Sequence, residues 1–315
     1  GCCDPKKDKT DGNRQGPRIT GKDVNMIDLT LLLREDRPDK YPPLTPGVPR
    51  YHPSWIEEFL LCGERFRMNH TSRHKKTRVA IAVGVGCHKT MEEENLKKIV
   101  ESRLTVDEGA DIAVATYDTE VKEKECTDTK TDIDEGRDTA ASGGSEVIRQ
   151  VSPAVPRPVL VEAVRTAIFS TDAGNIELAG TIDYAVEGDG GIVIHDLKTG
   201  RKKKSADYAH GRGQLSGYGI LLQGGGNEFP TGYRIDDLRL TRSGWVYSQL
   251  DTTRTEEDYA SYWARVLAVH AAVKAGSFPP AAEGSWVCSP NWCEHWATCP
   301  YVSARRRHGA TTEPD

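Results

Sequence analysis

The spacing of apolar residues divides the chain into a helical first part and a strand-rich second part. Between residues 52 and 69, apolar side chains recur every three or four positions, which predicts a helix opened by a capping box of Ser54 and Glu57. From Val79 a short apolar stretch and glycines lead into a predicted helix that carries His88, and a further helix is predicted from Thr105.

After residue 158 the apolar pattern changes to the alternation that is typical of strands. Three successive strands are predicted, with glycine-rich turns between them: "PVLVEAVRTAIF", "ELAGTIDYAVEG" and "GGIVIHDLK". A glycine-containing helix, a strand pair and a helix that begins with the capping pattern of Thr255 and Asp258 follow. This order predicts an α/β fold with a central mixed β-sheet flanked by helices.

Composition refines this division of the chain. Residues 1–50 are polar and are predicted to be a poorly ordered or surface-wrapping lead-in, and residues 304–315 a polar tail. A single domain is expected over 51–303. Within it, the segment 126–146 is rich in Asp, Thr, Gly and Ser and predicts an exposed excursion, and 286–301 contains a cysteine cluster.

Charge and hydropathy exclude some classes of protein. The formal net charge of −5 argues against a globally basic nucleic-acid-binding protein, but not against a local basic patch. No segment approaches the roughly 18 consecutive apolar residues of a membrane helix, and no secretory signal is visible, so no membrane partner is expected. We expect a reducing cytoplasm, in a bacterial or phage-infected host cell, where cysteine clusters bind metals or iron–sulfur clusters before they form disulfides.

The stretch "GIVIHDLKTG" ends an apolar strand in a carboxylate and a lysine. Because side chains alternate along a strand, Asp196 and Lys198 are expected on one face. The preceding "GDGG" predicts a hairpin, and with a loop of residues 188–191 Glu187 would face Ile192 and Asp183 would lie opposite Asp196.

Two converging carboxylates, expected about 5 Å apart, repel each other unless a cation lies between them. A hard divalent cation such as Mg²⁺ or Mn²⁺ suits such oxygen ligands. With a lysine beside it, this set of groups suits phosphodiester hydrolysis. The alternative is a surface hairpin with an ordinary Asp–Lys pair.

The order of these residues along the chain resembles the PD-(D/E)XK nuclease superfamily, specifically its RecB-type branch. The matching motifs are His88 in "GVGCHKTMEEE", Glu162 in "PVLVEA", "GTID" ending at Asp183, "DLKTG" with Asp196 and Lys198, and Gln214 with Tyr218 in "QLSGY".

The resemblance implies a restriction-endonuclease-like core and a metal-dependent DNA nuclease. We expect an exonuclease of phage or bacterial recombination or repair, with a helicase or annealing protein as a possible partner. The alternatives are a non-catalytic DNA-binding module of the same fold and a CRISPR-adaptation nuclease.

The resemblance also assigns roles to individual residues. It implies Mg²⁺ or Mn²⁺ bound by Asp183, Asp196 and His88, with Glu162 supporting the metal or its water. Lys198 would position the attacking water, and Gln214 and Tyr218 would orient the water or the nucleic-acid backbone. The basic run after the lysine motif would bind phosphates; it consists of Arg201, Lys202, Lys203 and Lys204.

Cys288, Cys293 and Cys299 cluster in "WVCSPNWCEHWATCPY", and Cys62 lies far upstream in "SWIEEFLLCGERFRM". A zinc site would take Cys62 or His295 as the fourth ligand. The RecB-type branch has a variant with one cysteine before the nuclease motifs and three after them, which hold a 4Fe–4S cluster. By this resemblance we expect a structural cluster that joins the N- and C-terminal parts, although the spacing between Cys288 and Cys293 is wider than is usual. Zinc and free buried thiols remain alternatives.

Overall fold

The computed structural model describes residues 41–71, 76–188, 190–226, 228–290 and 292–302. The tail predicted at 304–315 and most of the lead-in predicted at 1–50 lie outside these residues. Of the lead-in, the structure describes 41–50, which ends in a short strand, β1, over Arg50–Tyr51.

The predicted first helix is two helices, α1 over Pro53–Leu61 and α2 over Gly63–Thr71. The break is at Cys62, whose backbone is extended. The capping box predicted from Ser54 and Glu57 is wrong, because His52 is the N-cap residue and no side chain caps the helix. Pro53 at the first turn lacks an N–H and leaves one donor fewer to satisfy.

Three longer helices follow: α3 over Val79–Ile99, α4 over Val106–Glu123 and α5 over Lys130–Glu146. The glycines before His88 do not interrupt α3. The two-residue strands β2, Lys76–Thr77, and β3, Glu125–Cys126, pair with each other. A π-helical turn over Val147–Val151 and the short α6 over Ser152–Ala154 lead to the sheet.

The prediction of an exposed excursion at 126–146 is corrected by α5, which buries one face. Thr129 and Asp132 form a capping box at its start. A Cβ on Gly144 would collide with the carbonyl oxygen of Gly109 and would lie 2.6 Å from the Cβ of Ala113. The glycines that suggested a loop therefore permit close packing of two helices.

The strands of the main sheet form a mixed sheet, as predicted. Its order among the described residues is β1-β5-β6-β7-β8, with β4 also paired to β5. The β1–β5 and β6–β7 pairs are parallel, and the others are antiparallel. The remaining strand bounds are β4 Pro158–Thr171, β5 Gly174–Gly188, β6 Gly191–Gly200, β7 Gly232–Thr241 and β8 Gly244–Thr252.

Helices cover both faces of this sheet. One buried cluster joins the sheet to α1, to α8 over Gly213–Gly224 and to α9 over Glu256–Lys274. The other cluster joins it to α3, α4 and α5. The short α7 over Ala206–Gly211 precedes α8, and α9 begins with the predicted capping box. Within the described ranges, no helix combines the length and the apolar character that crossing a membrane requires.

Candidate active site

The hairpin of β5 and β6 has the register that the sequence predicts. Glu187 pairs with Ile192, and the pairing ends at Tyr184 and His195. The same register, continued by one residue, sets Asp183 opposite Asp196. The pairing of the two strands has ended at this point, and the backbone N–H of Leu197 donates to Oδ2 of Asp183 at 3.1 Å.

Lys198 lies beside these carboxylates. Its Nζ is 2.8 Å from Oδ1 and 2.7 Å from Oδ2 of Asp196, and 3.3 Å from Oε1 of Gln214. Burial lowers the pKa of Lys198, but the charges of Asp196 and Asp183 outweigh burial and leave the pKa raised. The lysine is therefore a cation at neutral pH.

His88 projects from α3 to the same point, with Nδ1 3.2 Å from Oδ2 of Asp183. Burial raises the pKa of Asp183, but the charge and hydrogen bond of His88 outweigh it and the pKa is lowered. For Asp196, burial together with the charge of Asp183 raises the pKa against the opposing effect of Lys198. The two carboxylates therefore lie in one buried site, each beside a basic side chain.

Gln214 and Tyr218 lie one turn apart on α8, and Nε2 of Gln214 donates to the Tyr218 hydroxyl at 2.7 Å. The sequence did not reveal what orients them. Arg212 donates to Oε1 of Gln214 at 3.0 Å and forms an ion pair of 2.8 Å with Glu57 of α1. Glu57 also accepts the backbone N–H of Gln214 at 2.9 Å. No local motif could have connected Glu57 with a residue so distant in sequence.

Glu162 of β4 borders a cavity of about 230 Å³ that Asp183, Gln214 and Tyr218 also line. Its φ of 43° lies in the left-handed region, which a residue with a side chain adopts at a cost. The cavity is large enough for water molecules beside Asp183. The structure therefore places Glu162 at the same cavity as Asp183, and its role at the site stays a prediction.

The basic run after the lysine motif is divided by the structure. Arg201, Lys202 and Lys203 are exposed. Lys204 instead points inward, with Nζ 2.5 Å from Oδ1 of Asp237, a residue that is fully buried. The prediction that Lys204 binds nucleic acid is therefore revised, because its ammonium already balances a buried carboxylate. Asp237 is a further acidic residue beside the site that the sequence motifs missed, and it pairs in register with Lys198.

The oxygen donors of Asp183 and Asp196, with the imidazole of His88, have the chemistry that a hard divalent cation requires. As the side chains stand, no group of three or more His, Cys, Asp or Glu within the described ranges is arranged to hold a metal ion. The ammonium of Lys198 contacts Asp196, and the imidazole of His88 contacts Asp183. The residues fit a divalent cation if the Lys198 ammonium moves away from Asp196 and His88, as a neutral imidazole, turns from Asp183 to the cation.

The four cysteines singled out in the sequence line one narrow cavity between α1, α2 and the C-terminal loop. The break at Cys62 directs its sulfur toward the loop, where Sγ accepts the backbone N–H groups of Arg65 at 3.4 Å and Ala281 at 3.3 Å. His295 borders the cavity too, but its Nε2 is 2.5 Å from Oδ1 of Asn69. Within the described residues these four cysteines form no disulfide and, like the carboxylates, are not arranged around a metal.

Comparison with known protein families identifies one that this chain matches. The model of the PD-(D/E)XK nuclease superfamily matches residues 51–300. No curated protein matches the chain significantly. The crystal structure of SSO0001 is 11% identical, covers 79% of this chain and 95% of its own, and has a TM-score of 0.33. That of a candidate exonuclease from Eubacterium rectale is 12% identical, covers 84% of this chain and 89% of its own, and has a TM-score of 0.46. Likenesses this weak carry no argument.

Proposed function

The chain belongs to the PD-(D/E)XK nuclease superfamily, and from this premise we propose that it is a DNA nuclease dependent on Mg²⁺ or Mn²⁺. One observation carries the proposal. Two carboxylates, Asp183 and Asp196, converge where the pairing of β5 with β6 ends, and Lys198 lies within 2.8 Å of one of them. A surface hairpin with an ordinary ion pair would not bury Asp196 to 1% exposure.

Asp183, Asp196 and His88 would hold the cation, and Glu162 would support it from the adjoining cavity. When bound, the cation would lower the pKa of a water molecule and withdraw charge from the phosphoryl oxygens. Its positive charge would also oppose the burial and the charge of Asp183 that together raise the pKa of Asp196.

The protein's own groups then orient the reactants. Lys198, whose ammonium lies beside Asp196, would position the water and stabilise charge on a phosphate oxygen. Gln214 is held by Arg212 and Tyr218, so its amide can orient the water or the DNA backbone with little loss of entropy. Exposed Arg201, Lys202 and Lys203 would bind the backbone beyond the site.

The mode of action is part of the proposal. The resemblance of the motifs to the RecB-type branch supports an exonuclease of phage or bacterial recombination or repair, acting in the cytoplasm. The intact set of Asp183, Asp196, Lys198 and Gln214 favours catalysis over a non-catalytic DNA-binding module.

The test uses end-labelled linear DNA and closed circular DNA with Mg²⁺, Mn²⁺ or a chelator. We expect shortening of linear DNA with either metal, no cleavage with chelator, and intact circular DNA. Cleavage of the circular DNA would replace the exonuclease with an endonuclease. DNA binding by folded protein without cleavage in any metal would favour the non-catalytic module, and cleavage that resists the chelator would contradict the metal site.

We also propose that Cys62, Cys288, Cys293 and Cys299 hold a structural 4Fe–4S cluster. Support comes from their shared cavity and from the two backbone N–H groups that donate to the Cys62 sulfur, since hydrogen bonds to sulfur stabilise ligating thiolates. The cluster would join α1 to the C-terminal loop and supply no step of the hydrolysis.

Iron, sulfide and zinc are measured in protein purified without oxygen, for wild type, Cys62→Ser and a control, Cys126→Ser. Cys126 lies in β3 and does not border the cavity. We expect iron and sulfide with absorbance at roughly 400 nm, lost only in Cys62→Ser. Stoichiometric zinc without iron would replace the cluster with a zinc site, and neither metal would leave free thiols.

A further inference from the structure

A buried polar network lies on the opposite face of the sheet from the carboxylate pair. Its centre is Asp236 of β7, which is fully buried. The Tyr184 hydroxyl donates to Oδ2 of Asp236 at 2.6 Å, and Nδ1 of His195 lies 2.7 Å from the same oxygen. The Tyr247 hydroxyl of β8 donates to Oδ1. Because a carboxylate only accepts, His195 carries its proton on Nδ1.

Two members of this network are chain neighbours of the proposed metal ligands. Tyr184 follows Asp183, and His195 precedes Asp196. Since side chains alternate along a strand, Tyr184 and His195 point to one face while both aspartates point to the other. A contact that holds the backbone of Tyr184 and His195 in place therefore also holds the backbone from which both aspartate side chains extend.

The position of this pair along the hairpin strengthens the connection. Tyr184 and His195 form the last pair of the β5–β6 ladder, and their rings stack with centroids 5.1 Å apart. Asp183 and Asp196 lie just past this last pair, where the pairing of β5 with β6 has ended. A single oxygen of Asp236 takes a hydrogen bond from each strand at this last pair. The Asp236 carboxylate thus links β5 to β6 at the last pair before the two aspartates.

We infer that Asp236, acting through Tyr184 and His195, is a positioning group that sets the separation of Asp183 and Asp196 for a divalent cation. The inference rests on the proposed function, because it concerns the cation that those carboxylates would bind. Tyr247 completes the hydrogen bonding of Asp236 from the outer strand β8, which in the described part of the sheet does not pair with β5 or β6.

The two tyrosines make a matched experiment. Tyr184→Phe and Tyr247→Phe each remove one hydroxyl that donates to Asp236, at nearly constant volume. Mn²⁺ affinity is measured without DNA by electron paramagnetic resonance of free Mn²⁺, beside the thermal midpoint of the metal-free protein. We expect both variants to lower the midpoint, but only Tyr184→Phe to weaken Mn²⁺ binding, by about tenfold or more, the usual effect of removing a group that orients a metal ligand.

A second pair covers the case in which Tyr184→Phe does not fold. His195→Asn keeps an N–H donor close to the position of Nδ1, whereas His195→Phe keeps a ring and loses the donor. Positioning predicts near wild-type Mn²⁺ affinity for His195→Asn and weakened binding for His195→Phe. The positioning role alone would be overturned if Tyr184→Phe bound Mn²⁺ as tightly as Tyr247→Phe, and His195→Phe as tightly as His195→Asn, while wild type binds Mn²⁺ and cleaves DNA. Wild type that neither binds Mn²⁺ nor cleaves DNA would overturn the proposed function and this inference with it.

Discussion

Lys204 is predicted to stabilise the fold, unlike the three basic residues that precede it. Its Nζ lies 2.5 Å from Oδ1 of Asp237, and the two side chains are 12% and 0% exposed. Replacement by methionine keeps most of the side-chain volume but leaves the carboxylate buried without its cation. Breaking a buried pair from one side costs about 3–5 kcal/mol. Exposed Lys203 has no such partner to lose, and surface substitutions stay within about 0.5 kcal/mol.

Urea and thermal unfolding of wild type, Lys204→Met and the matched control Lys203→Met measure this difference. We expect Lys204→Met to lower the midpoint of thermal unfolding by roughly 6 °C or more and Lys203→Met to leave it nearly unchanged. The double variant Lys204→Met/Asp237→Asn should recover part of the loss, because no charge is then left buried. In DNA binding, Lys203→Met should reduce the salt dependence by about one phosphate contact.

Equal stability of Lys204→Met and Lys203→Met would refute the assignment of Lys204 to a buried ion pair. If Lys204→Met weakened DNA binding as much as Lys203→Met does, Lys204 would belong with Arg201, Lys202 and Lys203 to the nucleic-acid-binding residues, as the sequence motif suggests.

Three further predictions follow from the structure. Asp196→Asn and Lys198→Ala should each reduce metal-dependent cleavage by at least about 100-fold while DNA binding survives, and either variant cleaving at the wild-type rate would contradict the site. Gly144→Ala should lower the free energy of unfolding by about 1–3 kcal/mol, because the added Cβ collides with α4, whereas Gly211→Ala, with open space around it, should not. Burial, with a smaller effect of a neighbouring arginine, lowers the pKa of Lys98 to about 8. The unfolded chain therefore binds more protons than the folded chain between about pH 8 and 10.5, and the free energy of unfolding should rise with pH in this range. Urea unfolding at pH 8, 9 and 10 should show wild type gaining stability over Lys98→Met by up to about 1.4 kcal/mol per pH unit, and a constant difference would contradict the lowered pKa.

The hairpin of the site could be predicted because its signals are local. The "GDGG" turn and the alternation in "IVIHDLK" fix which residues face each other, and a shift of one residue would have exposed the apolar face. The register of Glu187 with Ile192 is confirmed for this reason. The α/β class was likewise evident from the change of apolar period near residue 158.

Other features depend on contacts that no local pattern encodes. The sequence predicts Glu57 in a capping box, yet its carboxylate binds Arg212 and the backbone of Gln214. The sequence motif groups Lys204 with its basic neighbours, yet the side chain turns toward Asp237 of β7. Helix α5 is not predicted because glycine lowers helix propensity. The close contact of Gly144 with α4, which requires a residue without a side chain, is a tertiary contact that the local sequence does not show. The capping box of α5 at Thr129 and Asp132 was a local signal that could have revealed the helix.

The central claim is that Asp183 and Asp196 form a divalent-cation site. The most direct measurement is anomalous X-ray diffraction from crystals of the wild type and of Asp196→Asn grown with Mn²⁺. The account predicts an anomalous peak between the two carboxylates, at roughly 2.0–2.6 Å from the oxygens that bind it, and a much weaker peak or none in the variant. Wild-type crystals of protein that cleaves DNA with Mn²⁺, yet show no peak at these carboxylates, would contradict it.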